Sequence, residues 1–73
     1  MSKIENNTLK KIGKRIQELR ELQNLSQQDF AAKINYDKSN MSRLESGKTN
    51  MTVTTLEKVS KALNVELVEL FKF

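Results

Sequence analysis

Neither cysteine nor histidine occurs in the 73 residues, and proline and tryptophan are missing as well. Without cysteine there are no disulfides and no thiolate ligands; without histidine there is no imidazole for a metal site or for a nucleophile–base pair. An enzyme built from this chain would have to work with carboxylates, lysine and serine, and no pair of acidic residues falls on one inferable concave surface. Neither enzymatic activity, nor a cofactor, nor a metal is expected. With two glycines and no proline, the chain lacks the turn punctuation that an all-β fold needs. Apolar residues make up 37%, yet no run is long and uncharged enough for a membrane span or for the apolar segment of a signal peptide. The expectation is a cytoplasmic protein with no membrane partner.

What the chain does contain is mostly helix-forming: Leu, Lys, Glu, Gln and Ala are frequent. Thirteen basic against nine acidic residues leave a net charge of +4, which points to a polyanionic partner and leaves RNA and DNA open. Residues 1–7, MSKIENN, are polar and without period, and read as a mobile arm ahead of a single domain at 8–73. Thr8 is placed to cap a first helix with Leu9, Ile12, Ile16 and Leu19 on one stripe, running to about Gln23. Ser26 caps a short second helix carrying Phe30, Ala31 and Ile34. Asp37 caps a third with Met41 and Leu44 inside, closed by Gly47 in the left-handed conformation. Thr52 caps a fourth with Val53, Leu56, Val59, Ala62 and Leu63, which Asn64-Val65 ends. A last turn or two from Glu66 to Phe71 presents Leu67, Leu70 and Phe71. The fold class is therefore all-α, five short helices sharing one core.

The third helix is the informative one. With Met41 and Leu44 facing in, the outward stripe is Ser39, Ser42, Arg43 and Ser46, with Lys38 at its edge. Small hydroxyl residues let a helix backbone approach another surface, and the arginine fork matches the O6 and N7 acceptors of guanine in the major groove. Taken alone, such a stripe also fits a solvated helix face. The short second helix, a turn of about three residues with Asn35 able to enter the left-handed region, and the third helix together have the proportions of a helix-turn-helix unit.

The stretch LSQQDFAAKINYDKSNMSRLESGKTNMTVTTLEKVSKALNVELVELF, with IGKRIQELR before it, resembles the Cro and repressor (XRE-like) family of helix-turn-helix proteins. Leu25-Ser26-Gln27, Ala31, Ser42-Arg43-Leu44-Glu45, Gly47, Asn50, Leu56 and Ala62-Leu63 match in order without a gap, and residues 9–71 are covered. The resemblance implies a lambda-repressor-like five-helix domain, with the third helix, about 37–46, in the major groove of double-stranded DNA, and the function of a sequence-specific transcriptional regulator. Position by position, it puts base reading on Lys38, Ser39, Ser42 and Arg43, and phosphate contact on Gln27, Asn40, Lys48 and Asn50. It pairs Arg20 with Glu45 in a structural salt bridge between the first and third helices. The chain departs from the family at Asn35, where Gly is common, at Met51, where Pro is common, and at Ser46, where a basic residue is frequent.

Leu67, Val68, Leu70, Phe71 and Phe73 carry more apolar surface than a thin core uses. Val68, Phe71 and Phe73 are expected to pair two subunits, so that a homodimer would read a near-palindromic operator with half-sites about one helical turn apart. The alternative is an antitoxin-like module that uses the same C-terminal surface to bind another protein. Neither an effector domain beyond residue 73 nor a small-molecule effector is expected. The domain-only form resembles controller proteins of restriction-modification systems as well as other small bacterial regulators. Residues 1–20 hold six basic and two acidic groups, so Lys3, Lys10, Lys11, Lys14 and Arg15 form either a solvated face or an auxiliary phosphate contact, while the third helix is almost neutral.

Overall fold

A computed structural model of the chain describes the backbone of residues 2–73 and the side chains from Asn7 onward. All the regular structure among the described residues is helical: α1 (Ser2–Leu22), α2 (Gln27–Lys33), α3 (Lys38–Ser46), α4 (Val53–Ala62) and a C-terminal 3₁₀ helix (Leu67–Phe71). Two expectations are corrected. The helix expected from Thr8 runs back to Ser2, so Thr8 is interior to α1 and does not start it; residues 2–7 hold no Gly or Pro to stop a helix that is already nucleated. The side chains of the arm expected over 1–7, except that of Asn7, lie outside the described residues. The fifth helix is a single 3₁₀ segment and not an α-helix, in keeping with its length of five residues.

The helix ends follow a common chemistry. Ser26, Asp37 and Thr52 are extended at the N-caps of α2, α3 and α4, and each side chain accepts a hydrogen bond from the backbone N–H three residues on. All four α-helices end in a residue with positive φ: Asn24, Asn35, Gly47 and Asn64, between 58° and 75°. In every case the next N–H reaches back to the carbonyl five residues earlier, as in Tyr36 N to Ala31 O at 2.8 Å and Lys48 N to Arg43 O at 2.9 Å. These are Schellman closures. Three asparagines thus take the place that glycine usually fills, which is how the chain turns four times with so little Gly and no Pro.

Ile12, Ile16, Leu19, Phe30, Ala31, Ile34, Met41, Leu44, Leu56, Val59, Leu63 and Leu70 form the buried core. Val53, one of the apolar residues of α4, is exposed because it is the first residue of that helix, and Phe71 is exposed at the end of its segment. α3 is held between α1 and α2, while the 3₁₀ helix packs on α4 and α1. Both glycines sit where α1 crosses α3. A Cβ on Gly13 would come within 2.6 Å of the Leu44 carbonyl oxygen, and one on Gly47 within 2.7 Å of the Lys10 backbone. The Arg20–Glu45 pair also links these two helices.

Candidate nucleic-acid interface

With Met41, Leu44 and Glu45 buried, α3 turns Lys38, Ser39, Ser42, Arg43 and Ser46 to solvent. Lys38, Ser39, Ser42 and Arg43 line one open depression together with Gln27 from the first turn of α2. Arg43 also lines a second depression, with Asn40, Asn50, Tyr36, Leu44, Thr49 and Thr55. A third, over the end of α3, is lined by Leu9, Lys10, Gly47, Lys48, Thr49 and Asn50. The structure therefore gathers all four expected base-reading residues and all four expected phosphate-contacting residues around one exposed helix. Lys38, Arg43 and Lys48 have no carboxylate within 4.0 Å among the described residues; the ion pairs there belong to Arg15, Arg20 and Lys72.

Beneath this face lies the Arg20–Glu45 pair. Arg20 Nε and Nη2 donate to the two carboxylate oxygens of Glu45 at 2.7 and 3.1 Å, and Nη1 donates to the Leu25 carbonyl at 2.5 Å. Both residues are 6% exposed. The Gln27 side-chain amide donates to the same carboxylate, at 3.0 Å. No buried side-chain donor or acceptor among the described residues lacks a partner, so this buried charge is fully compensated.

The basic cluster of α1 divides. Arg15 turns away from α3, donating to the Glu69 carbonyl at 2.8 Å and to the Glu69 carboxylate at 3.2 Å. Lys72 donates to the same carboxylate at 2.8 Å. The Lys72 hydrogen bond, with that of Arg15, holds Glu69 below the usual carboxylate range against the opposing effect of its desolvation. The Lys11 ammonium lies 5.6 Å from the centre of the Phe73 ring, a cation–π distance. Among the described residues of this cluster, Lys10 alone lines a depression next to α3. The Lys3 side chain is outside the described residues.

Val68, Phe71 and Phe73, the three residues expected at a dimer interface, are 59%, 43% and 61% exposed in the single chain. Tyr36, Thr49, Thr55 and Gly13 were not singled out by their sequence positions. Gly13 had a usable signal, since glycine inside a helix is costly and marks a close approach; the others had none, being ordinary polar residues whose neighbours are distant in sequence. No group of three or more His, Cys, Asp or Glu that could hold a metal occurs among the described residues. No helix there is long and apolar enough to cross a membrane.

The chain resembles known proteins in sequence and in fold. The helix-turn-helix family model matches residues 16–70. The control protein C.MunI of Mycoplasma sp. is 42% identical over 62 residues, which is 84% of this chain and 84% of that protein. Among solved structures, the restriction-modification controller protein C.AhdI from Aeromonas hydrophila superposes with a TM-score of 0.85 at 35% identity, covering 90% of this chain and 96% of that one. A helix-turn-helix family transcriptional regulator from Vibrio cholerae has the same fold, with a TM-score of 0.84 at 22% identity over 92% of this chain and 38% of its own.

Proposed function

Because the chain belongs to the Cro and repressor-type helix-turn-helix family of DNA-binding transcriptional regulators, we propose that it controls a restriction-modification system from the cytoplasm, as a homodimer on a near-palindromic operator. The observation that carries the DNA reading is the shared depression of Gln27, Lys38, Ser39, Ser42 and Arg43. It brings a planar, unpaired guanidinium and small hydroxyls to the convex face of a helix of nine residues, a shape that enters the major groove. In this reading Arg43, Lys38, Ser39 and Ser42 read base edges. Gln27, Asn40, Lys48 and Asn50 grip phosphates on either side, the first group supplying discrimination and the second affinity. The controller assignment draws on the two control proteins that resemble this chain over most of their length.

The pairing of two chains is supported by the exposed Val68, Phe71 and Phe73, apolar side chains in the C-terminal segment, remote in sequence from α3. Two copies about a twofold axis would cover it and present two reading helices. The experiment is selection of bound sequences from random duplex DNA, with sedimentation of the free protein and of the complex. The selected site should be a near-palindrome, and Arg43→Ala should lose about 1–3 kcal/mol and relax preference at one base pair of each half-site. Absence of any base preference refutes specific reading, and a monomer mass at tens of micromolar, with and without DNA, refutes the dimer.

A further inference from the structure

Glu45 has one donor more than its ion pair requires. Arg20 occupies both carboxylate oxygens, and the Gln27 amide then shares Oε1, 3.0 Å away. Gln27 is half-buried where Glu45 is buried, and its other side lines the open depression beside Lys38, Ser39, Ser42 and Arg43. A chain of contacts therefore runs from the interior of the domain to its DNA-facing surface: Arg20, Glu45, Gln27.

The chemistry of this chain is specific. A bare carboxylate close under a DNA-binding face would repel phosphate, but the two-pronged contact with Arg20 neutralises it locally. What reaches the surface is a neutral amide whose nitrogen has two hydrogens, one bound to Glu45 and the other left for an acceptor in the depression. A free glutamine side chain has several rotamers to lose when it binds, whereas one already hydrogen-bonded to a carboxylate has lost them in folding. We propose that Glu45 is a positioning residue for DNA binding: it fixes the Gln27 amide so that its second N–H meets a backbone phosphate oxygen. This rests on the DNA-binding reading above and adds a role for the buried pair beyond holding α1 to α3.

The test is a double-mutant cycle of Gln27→Ala and Glu45→Gln, with affinity for the selected duplex measured at a temperature where circular dichroism shows each variant folded. Gln27→Ala should lose about tenfold, the weight of one hydrogen bond to an anion. The loss should be uniform across sequences and leave the salt slope unchanged, since no cation is removed. Glu45→Gln should lose most of the same factor, and the double variant no more than the larger single loss. A folded Glu45→Gln that binds as the wild type does, or losses that multiply, would overturn the proposal. Where Glu45→Gln does not fold, the wild-type Gln27 amide protons decide. One should be displaced by the carboxylate in the free protein and the other should move when duplex is added; a second proton indifferent to duplex overturns the positioning role. Arg43→Ala is the control: if neither wild type nor this variant discriminates among duplexes, the fault lies in the DNA reading; if they do and the cycle is additive, only the relay fails.

Discussion

A single methyl group at Gly13 sets two well-known effects against each other. Gly13 lies inside the 21-residue α1, where replacing glycine by alanine stabilises a helix by about 1 kcal/mol. On that ground alone Gly13→Ala should raise the melting temperature. The crossing with α3 argues the other way. The new Cβ would stand 2.6 Å from the Leu44 carbonyl oxygen and close to that of Glu45, whereas carbon and oxygen in contact sit about 3.3 Å or more apart. The obstruction is backbone, so no side chain can rotate aside. α1 must move off α3 by several tenths of an ångström, loosening Ile12 and Ile16 against Leu44 in a core of twelve residues. Overpacking of this kind costs about 1–3 kcal/mol and more when the neighbour is rigid. The net expectation is a loss of about 1–2 kcal/mol and a melting temperature lower by about 5–15 °C. Lys14→Ala, one residue along on the exposed side of the same helix, should stay within about 0.5 kcal/mol of the wild type. The assay is a pair of reversible melts followed by circular dichroism. A melting temperature for Gly13→Ala at or above the wild type would mean that α1 and α3 are not held in contact at this point.

Glu45→Ala leaves the Arg20 guanidinium buried without its carboxylate, at a cost of about 3–5 kcal/mol, and should lower the melting temperature without changing the base preference of the folded fraction; an unaltered melt would refute the pairing. Replacing Arg20 and Glu45 together by Met and Leu should recover much of that loss, because no charge is then stranded. Lys10→Ala should flatten the salt dependence of DNA affinity by about one phosphate's worth, while Lys11→Ala, whose ammonium lies over Phe73, should leave it unchanged; equal slopes for the two would remove α1 from the interface. Glu69, held below the usual carboxylate range chiefly by Lys72 and then by Arg15, should stabilise the C-terminal segment above its unfolded-state pKa of about 4 and lose that contribution as pH falls through its lower folded value. Glu69→Gln should accordingly melt below the wild type near neutral pH, with the gap closing in acid, and a gap independent of pH would refute this linkage.

The elements were legible in the sequence wherever a local rule decides. Ser26, Asp37 and Thr52 announce three helix starts because a short oxygen-bearing side chain serves an N-cap from any fold, and Gly47 and Asn35 announce two ends because few residues enter the left-handed region. The start of α1 was not legible, since Thr8 has the chemistry of a cap but is not obliged to act as one when helix-forming residues precede it. The inward faces of α3 and α4 could be counted from helical spacing. Neither the second use of Glu45 by Gln27 nor the diversion of Arg15 to Glu69 could be, because the partners stand 18 and 54 residues apart and only the packing of α2 on α3 and of α1 on the 3₁₀ helix brings them together.

That diversion alters what the net charge of +4 implies for binding. Arg15 is committed to Glu69, Arg20 to Glu45 and Lys11 to Phe73, so half of the six cations in residues 1–20 already serve the fold. Among the described residues, the cations that line the depressions around α3 are four: Lys10, Lys38, Arg43 and Lys48. Each phosphate neutralised adds about 0.9 to the steepness with which log affinity falls against log salt. One chain on duplex DNA can therefore reach a slope of about 3.6 and two chains about 7. If Arg43 and Lys38 are spent on base edges, as the reading of α3 requires, a dimer falls to about 4, and a monomer to about 2. A measured slope near 7 would show that the α3 cations lie on phosphates and that base reading rests on the hydroxyl side chains. A slope near 4, with the mass of a dimer on DNA, would support reading by Arg43 and Lys38. A slope near 2 would mean that a single chain binds and that Val68, Phe71 and Phe73 are covered by something other than a second copy.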